Sequence, residues 1–460
     1  MRNILRVMSI LIVMFLAVTA PIIASGYSEL KQAAVTPSHL EAAQHDLAAA
    51  HRIPWRADLY ELAGHEYYYA REYSQANAAY EKAFERHALS IDGWVAWGDI
   101  NYLLKDPVRA GKIWEQGLAQ SNPSEKLYSR LAQIYQEKKD FAKAAEYLQR
   151  YTSKQVQDAS AHYRLGLLLT LTDPQTAAAE LVNASQLDPK LDPAVQTLRT
   201  ALNLASVSDT PSAKYVIIGR GLGLVSEWEL ARAAFEQARQ ADGNNAEAWA
   251  WLGEAYQQTG GTDALTVLDR ALSLNPNSAV VRSLRGLYFQ RIGNNREALA
   301  EFQAAAAIQP KDPSLYVSIG ESYSKLGDMI RALNAYQYAT SLVPNDANYW
   351  RLLAQFCAQN NIQIKDVGVP AAERAVIIKA DDSTLQDTLG WLLLLSARYP
   401  EAERHLLRAL DLNLQNATAH YHLGVLYLQT ERQSLAHAQL ISARDLGNPD
   451  AQFVLSQYFP

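Results

Sequence analysis

The sequence predicts an all-α solenoid of about eleven helix-turn-helix repeats, arranged in two blocks. Three observations predict it. One string of residue types returns every 34 positions. Each return places apolar or small residues at helical spacing. Many units then close on Pro or an Asn-rich turn, and self-similarity at such a period is the signature of a stacked repeat architecture.

The N-terminus stands apart from the repeats. Arg2 and Arg6 precede an apolar run from Val7 to about Ala24, which ends in the small residues Ala24, Ser25 and Gly26. Basic flank, apolar run and small-residue exit make residues 1–26 a signal peptide or an N-terminal membrane anchor. The run is about 18 residues long, at the edge of what can span a bilayer as a helix, so cleavage and retention as an anchor are both open. The basic flank stays on the cytoplasmic side, so the remainder is expected outside: anchored to the cytoplasmic membrane facing outward, or secreted if the segment is cleaved. Residues 27–56 are expected to hold a polar linker, 28–38, and an Ala-rich capping helix, 38–51.

The repeats follow. Trp249, Leu252, Gly253 and Tyr256 define the first string, with counterparts at Tyr60/Gly64/Tyr67, Trp94/Gly98, Tyr128/Ala132/Tyr135 and His162/Gly166. Others are Tyr215/Gly219, Arg282/Gly286, Tyr316/Gly320/Tyr323, Trp350/Ala354, Gln386/Gly390 and His420/Gly424/Tyr427. The small residues at 64, 98, 132 and 166 are 34 apart, as are those at 286, 320 and 354. A second string trails each first one, as in Ala76/Tyr80/Ala83, Ala231/Phe235/Ala238 and Ala298/Phe302/Ala305. Pro123, Pro189, Pro276, Pro310 and Pro344 close units. Both strings read as amphipathic helices. Gly inside a helix costs roughly 1 kcal/mol against Ala, so its recurrence implies that two backbones must approach closely there. Pro stops the second helix because it lacks an amide donor.

These strings resemble tetratricopeptide repeats, in period and in the Trp/Tyr–Leu–Gly–Tyr, Ala–Phe/Tyr–Ala, Pro pattern, over residues 57–448. The resemblance implies antiparallel helix pairs stacked in a right-handed superhelix. First helices then line a concave face that binds protein or peptide partners. Two departures divide the array. The step from Gly166 to Gly219 is one period plus an extra helix, placed at 191–212, so block one spans 57–190 and block two 213–448. A smaller insertion falls at 360–369. Residues 449–460 are read as a capping helix, because a terminal repeat must cover its apolar face.

Chemistry is excluded motif by motif. The net charge of −6 offers no basic face for nucleic acid. The single cysteine, Cys357, can form no internal disulfide, and it stands at an apolar helical position. Gly219, Gly221 and Gly223 mimic a phosphate loop but fall in repeat register, so they read as a weakened helix. His420 and His422 are two apart on a helix and point to nearly opposite sides. Asn183 and Asn416 head short glycosylation-like triplets. The reading is a non-catalytic binding protein with no cofactor and no metal.

Partner-binding residues are expected among first-helix side chains not used in packing. Near the N-terminus these are Asp58, Glu61, His65, Tyr68, Tyr69, Asp92, Asp99 and Tyr102, an acidic and aromatic set suited to a basic peptide. Near the C-terminus they are Asp387, Trp391 and Tyr421, with Leu394, Leu395, Val425 and Leu428 beside them as an apolar groove for a helix. Carboxylate capture is disfavoured at the first repeat, where Glu61 and His65 stand. The alternative is an envelope assembly factor that stacks sugar rings on Tyr68, Tyr102 or Trp391, which requires those rings to be bare.

Overall fold

The structure is a computed structural model that describes residues 2–120 and 124–459, and every regular element among them is helical. Pro123, expected to close the second repeat, lies outside the described residues. The chain divides into two compact units. One runs to Val207 and includes Leu224–Leu230. The other comprises Ser208–Gly223 and the chain from Ala231 onward.

In the first unit the helix Arg2–Val35 folds back on His39–Arg52. This corrects the expected linker: residues 28–35 are helical. The physical reason is local and tertiary together. Glu29, Leu30, Lys31, Gln32, Ala33 and Ala34 are good helix formers. Leu30 packs against the cluster of Ala49, Ala50, Leu59, Tyr60 and Ala83. Glu29 takes His45 at 2.6 Å and also pairs with Arg52. Ser38 caps the second helix through the Glu41 amide.

Four helix pairs follow: Asp58–Tyr69 with Tyr73–Glu85, Ile91–Leu103 with Pro107–Gln120, Glu125–Glu137 with Phe141–Thr152, and Ala159–Leu169 with Pro174–Leu187. The helix Asp192–Ser206 comes next, after a 3-10 turn at Pro189–Leu191. Its Val195, Leu198 and Leu202 are buried.

The chain continues with Pro211–Leu224 and Trp228–Ala241, whose residues 224 and 228–230 count with the first unit, and then, in the second unit, with Ala246–Gln258 and Ala264–Leu274, Ala279–Arg291 and Asn295–Ile308, then Pro313–Lys325 and Met329–Leu342. Ala347–Gln359 is followed by a π turn, Ile364–Gly368, before its partner Val369–Ile378. Ser383–Leu395 with Tyr399–Leu412, Ala417–Gln429 with Gln433–Asp445, and Ala451–Tyr458 complete it.

In most pairs the turn is built the same way. The first helix is followed by a residue of positive φ: Arg71, Lys105, Lys139, Ala397 and Glu431, or Gly260, Gly293 and Gly327. The amide just beyond it returns to a carbonyl five residues back. Examples are Asp106 to Asn101 and Asp140 to Tyr135, both 2.9 Å, and Arg432 to Tyr427, 2.8 Å. Returning pairs to first helices, Ser90, Asp158, Asn245, Asp312, Asp382 and Asn416 accept amides at the next N-terminus.

The glycine of each first helix faces the large residue of its partner. A Cβ on Gly219 would stand 2.5 Å from the Phe235 ring, and one on Gly286 2.7 Å from Phe302. Pro211–Leu224 is thus an unbroken helix in which Gly219, Gly221 and Gly223 are buried. Cys357 is fully buried, and burial pushes its thiol up to about 11. Gly219→Ala is therefore expected to lower stability by about 1–3 kcal/mol in urea unfolding. Gly243→Ala, whose Cβ meets nothing closer than 3.9 Å, is expected to change it by less than about 0.5 kcal/mol.

Candidate functional site

Neighbouring first helices are linked side chain to side chain, and this decides which of the expected residues are free. Asp92 takes Lys126 at 2.8 Å. Asp99 receives Arg130 through both carboxylate oxygens, at 2.5 and 2.7 Å. Tyr102 donates to Glu137 at 2.7 Å. The second unit has the same rungs: Gln290 to Glu321 at 2.9 Å, Arg291 to Glu254 at 2.6 Å, and His422 to Asp387 at 2.7 Å.

The N-terminal set is therefore not a bare acidic patch. Asp58 is exposed but paired with Arg56 at 2.7 Å. Glu61 is buried. It accepts the Ser90 amide at 2.7 Å and the Ser90 hydroxyl, and it stands 3.3 Å from His65. It thereby caps the next repeat instead of facing solvent. Burial raises its carboxyl, but hydrogen bonds from His65 and Ser90 outweigh that and hold it below the ordinary carboxylate value. The second nitrogen of His65 meets the Tyr80 hydroxyl at 2.8 Å.

What the structure brings together is a smaller site. Tyr68, Asp99, Tyr102, Ser129, Arg130 and Gln133 line a cleft of about 360 Å³. Tyr68 is half-buried, and burial raises its hydroxyl, helped by Asp99. Tyr69 is 62% exposed and leans on His39 with ring centroids 5.4 Å apart. Lys126, Ser129, Arg130, Gln133 and Glu137 were missed by sequence reasoning. For Lys126 and Arg130 the signal was a charge about one period from an opposite charge, at Asp92 and Asp99; Ser129, Gln133 and Glu137 carried none.

The C-terminal set also closes on itself. Asp387 is buried against His422, and the His422 ring stacks on Trp391 at 4.2 Å and 15°. Tyr421 tilts against the same imidazole at 5.7 Å. Leu394 is in the core, Trp391, Val425 and Leu428 pack on it, and only Leu395 is exposed. The apolar groove is thus mostly inter-repeat packing. His420 turns away to Gln439 at 2.6 Å, apart from His422. Asn416 spends its side chain on the Ala419 amide and on Ser383. Among the described residues no three His, Cys, Asp or Glu side chains converge as a metal site.

A larger cleft, about 990 Å³, lies where the helices Ala347–Gln359 and Ser383–Leu395 begin. Asp346, Asn348, Arg351, Ile378, Lys379, Asp382, Thr384 and Leu385 are among its lining residues. Asp382 is paired with Lys379 at 2.8 Å, and Asp346 and Asp382 each accept amides at a helix N-terminus, which leaves Arg351 as the cation without a carboxylate partner among the described residues. Arg351 donates to Gln355 at 2.8 Å and to Asn348 at 2.5 Å. Among the described residues it meets no carboxylate. The insertion at 360–369 was the sequence signal here, because among the described residues this repeat alone enters its second helix through a π turn, after Gln363 at φ 49°.

Models of the tetratricopeptide repeat match residues 62–126, 129–193, 226–288, 313–346 and 388–451, well over half the chain. Superkiller complex protein 3 of Homo sapiens is 26% identical over 219 residues, covering 46% of this chain and 13% of that protein. The chain thus spans a small part of that relative. Among solved structures, the APC/C hetero-tetramer Cut9–Hcn1 aligns over 96% of each chain at 15% identity and TM-score 0.44. Yeast Tom70 aligns over 88% of this chain and 94% of its own at 14% identity and TM-score 0.42.

The Glu61 contacts have a pH signature. Its carboxyl is depressed in the folded state, so its stabilisation is complete above the ordinary value of 4.5 and is lost as pH falls through the folded value. In thermal melts from pH 7 to pH 3, Glu61→Gln is expected to lower Tm at pH 7 and to fall less steeply than wild type below pH 4.5.

Proposed function

The chain belongs to the tetratricopeptide repeat family, and from that membership we propose that it is a non-catalytic scaffold on the extracytoplasmic side of a membrane, holding partner peptides against its first helices. Members of this family commonly bind proteins and are generally non-catalytic. The scaffold surface comprises the blocks at 57–190 and 213–448, separated by the helix-bearing insertion at 191–212 and closed by the cap at 449–460.

One observation carries the binding reading: the cleft beside Arg351. Its guanidinium is held by two amide side chains, so its orientation is set before any partner arrives, which lowers the cost of binding. Ile378 and Leu385 supply an apolar wall. The occupant that fits is an acidic peptide segment, its carboxylate on Arg351 and an apolar neighbour on the wall. The sugar-stacking alternative needed a bare Tyr68, Tyr102 or Trp391. Each is half-buried, and His422 covers one face of Trp391.

The helix Arg2–Val35 supports the membrane reading. From Met8 it is long and apolar enough to cross a bilayer, and its most apolar stretch is unburied. We place residues 7–26 as a retained anchor. Gly26 is buried, and a Cβ there would stand 2.6 Å from Ile53. Cleavage at 24–26 would have to open a helix already docked on its neighbour. The outward orientation follows from Arg2 and Arg6 preceding the span.

Photo-crosslinkers at Thr384 and Lys379, both exposed in the cleft, are expected to capture a protein partner in membranes, whereas one at Glu297, exposed on a second helix, captures none. Arg351→Glu is expected to weaken capture at Thr384 at least tenfold, the loss of one charge-assisted contact worth about 1.5–3 kcal/mol. Equal capture at all three positions, or no effect of Arg351→Glu, refutes the cleft. For orientation, Gln452→Cys, exposed on the terminal helix, is expected to react with an impermeant maleimide in right-side-out vesicles, while the buried Cys357 adds no background.

A further inference from the structure

We propose that the turn Ile53–Pro54–Trp55–Arg56, together with Tyr27, is a second membrane contact, which seats the first unit on the headgroups of the leaflet from which the helix Arg2–Val35 emerges. The inference rests on the anchor reading of residues 7–26. Its occupant is the interfacial layer of that bilayer.

The level of the turn relative to the apolar segment is fixed by contact. Gly26 abuts Ile53, and Arg52 pairs with Glu29, one helical turn further along. The helix His39–Arg52 therefore runs back along the segment that follows the anchor and ends beside Gly26. The chain then reverses, closed by the Arg56 amide on the Ile53 carbonyl at 2.9 Å. Pro54 fits the first central position of such a turn, and Trp55 occupies the next. The indole is 59% exposed, and Tyr27, one residue above Gly26, is 49% exposed.

An exposed indole at a rigid turn is unusual in a water-soluble surface, whereas Trp and Tyr concentrate at the membrane interface, where an apolar ring and a polar edge are both satisfied. Length agrees with this. A stretch of about 18 residues at about 1.5 Å each fills roughly 27 Å, close to the roughly 30 Å hydrocarbon core. With the residues from Met8 to Ser25 in that core, Tyr27 and the turn fall in the interfacial layer. The charge is of the right sign for phosphate. Arg86 is exposed and donates to the Pro54 carbonyl at 3.3 Å, so it stands at the same level. Arg56 is near Tyr27, and its side chain is 39% exposed despite its pairing with Asp58.

The test uses the full chain reconstituted in phosphatidylcholine–phosphatidylglycerol vesicles, with acyl chains brominated either near the headgroup or near the bilayer centre. Flotation is read first, then tryptophan emission of wild type and Trp55→Phe, with folding checked by circular dichroism. The expected result is a quenched component in wild type, stronger with shallow bromines, that is lost in Trp55→Phe. Arg86→Glu is expected to reduce that component. Protein that floats but is quenched identically in wild type and Trp55→Phe overturns this inference and leaves the anchor standing. Protein that does not float overturns the anchor, and this inference with it.

Discussion

The contact between a small residue on each first helix and a large one on its partner is the constraint on which the rest depends. Gly64 under Tyr80, Gly219 under Phe235, Gly320 under Tyr336 and Gly424 under Leu440 are the same event. A side chain at any of these glycines would meet atoms under 3.0 Å away, so the two helices hold their spacing only while the position stays small. That spacing sets where the turn must close. The positive-φ residues then follow as a consequence, including non-glycines such as Lys105 and Ala397 that accept a strained backbone at roughly 1–2 kcal/mol each. Packing supplies what local propensity opposes.

Stacking adds a second layer, and it is polar. Within a pair the small-against-large contact is apolar, with polar contacts such as His420 to Gln439 beside it, whereas successive first helices are also joined by ion pairs and hydrogen bonds about one period apart. Most rungs are half-exposed, so each is worth little alone. Their effect is positional: Asp99, Tyr102 and Arg130 are held in place by partners on neighbouring repeats. A face made this way presents few free charges. Arg351 matters because it departs from the pattern, its guanidinium oriented by amides and not neutralised by a carboxylate.

This explains what was legible in the sequence. Period, helix pairing and the buried glycines were readable because they rest on residue type at fixed spacing within one repeat. Glu61 shows the limit. Its position in the first helix marked it as groove-facing, but its fate depends on Ser90, on the next repeat. Nothing in the Glu61 helix alone says that the following N-terminus arrives within hydrogen-bonding distance. Trp391 and Asp387 fail for the same reason, since His422 belongs to another repeat. The 28–38 linker was misread because its polar composition hid Leu30 and Glu29, whose partners sit on the next helix. The insertion at 360–369 was visible as spacing, whereas its π turn and the adjoining cleft were not.

The N-terminal helix extends the same logic to the membrane reading. A flexible linker would let an anchored array sample many orientations, at little cost in loop entropy. Here the helix has no break between the apolar segment and the packed one, apart from Pro21 on the apolar side. Glu29, Leu30 and Gly26 tie it to the second helix, which in turn packs Ala49 and Ala50 against Leu59 and Tyr60 of the first repeat. On the proposed anchor reading, a helix joined this way would transmit its tilt to the first repeats directly. The side chains at the junction, Tyr27, Trp55 and Arg86, would then set how close the first unit stands to the lipid, and so which of its first helices a partner approaching from solvent could reach.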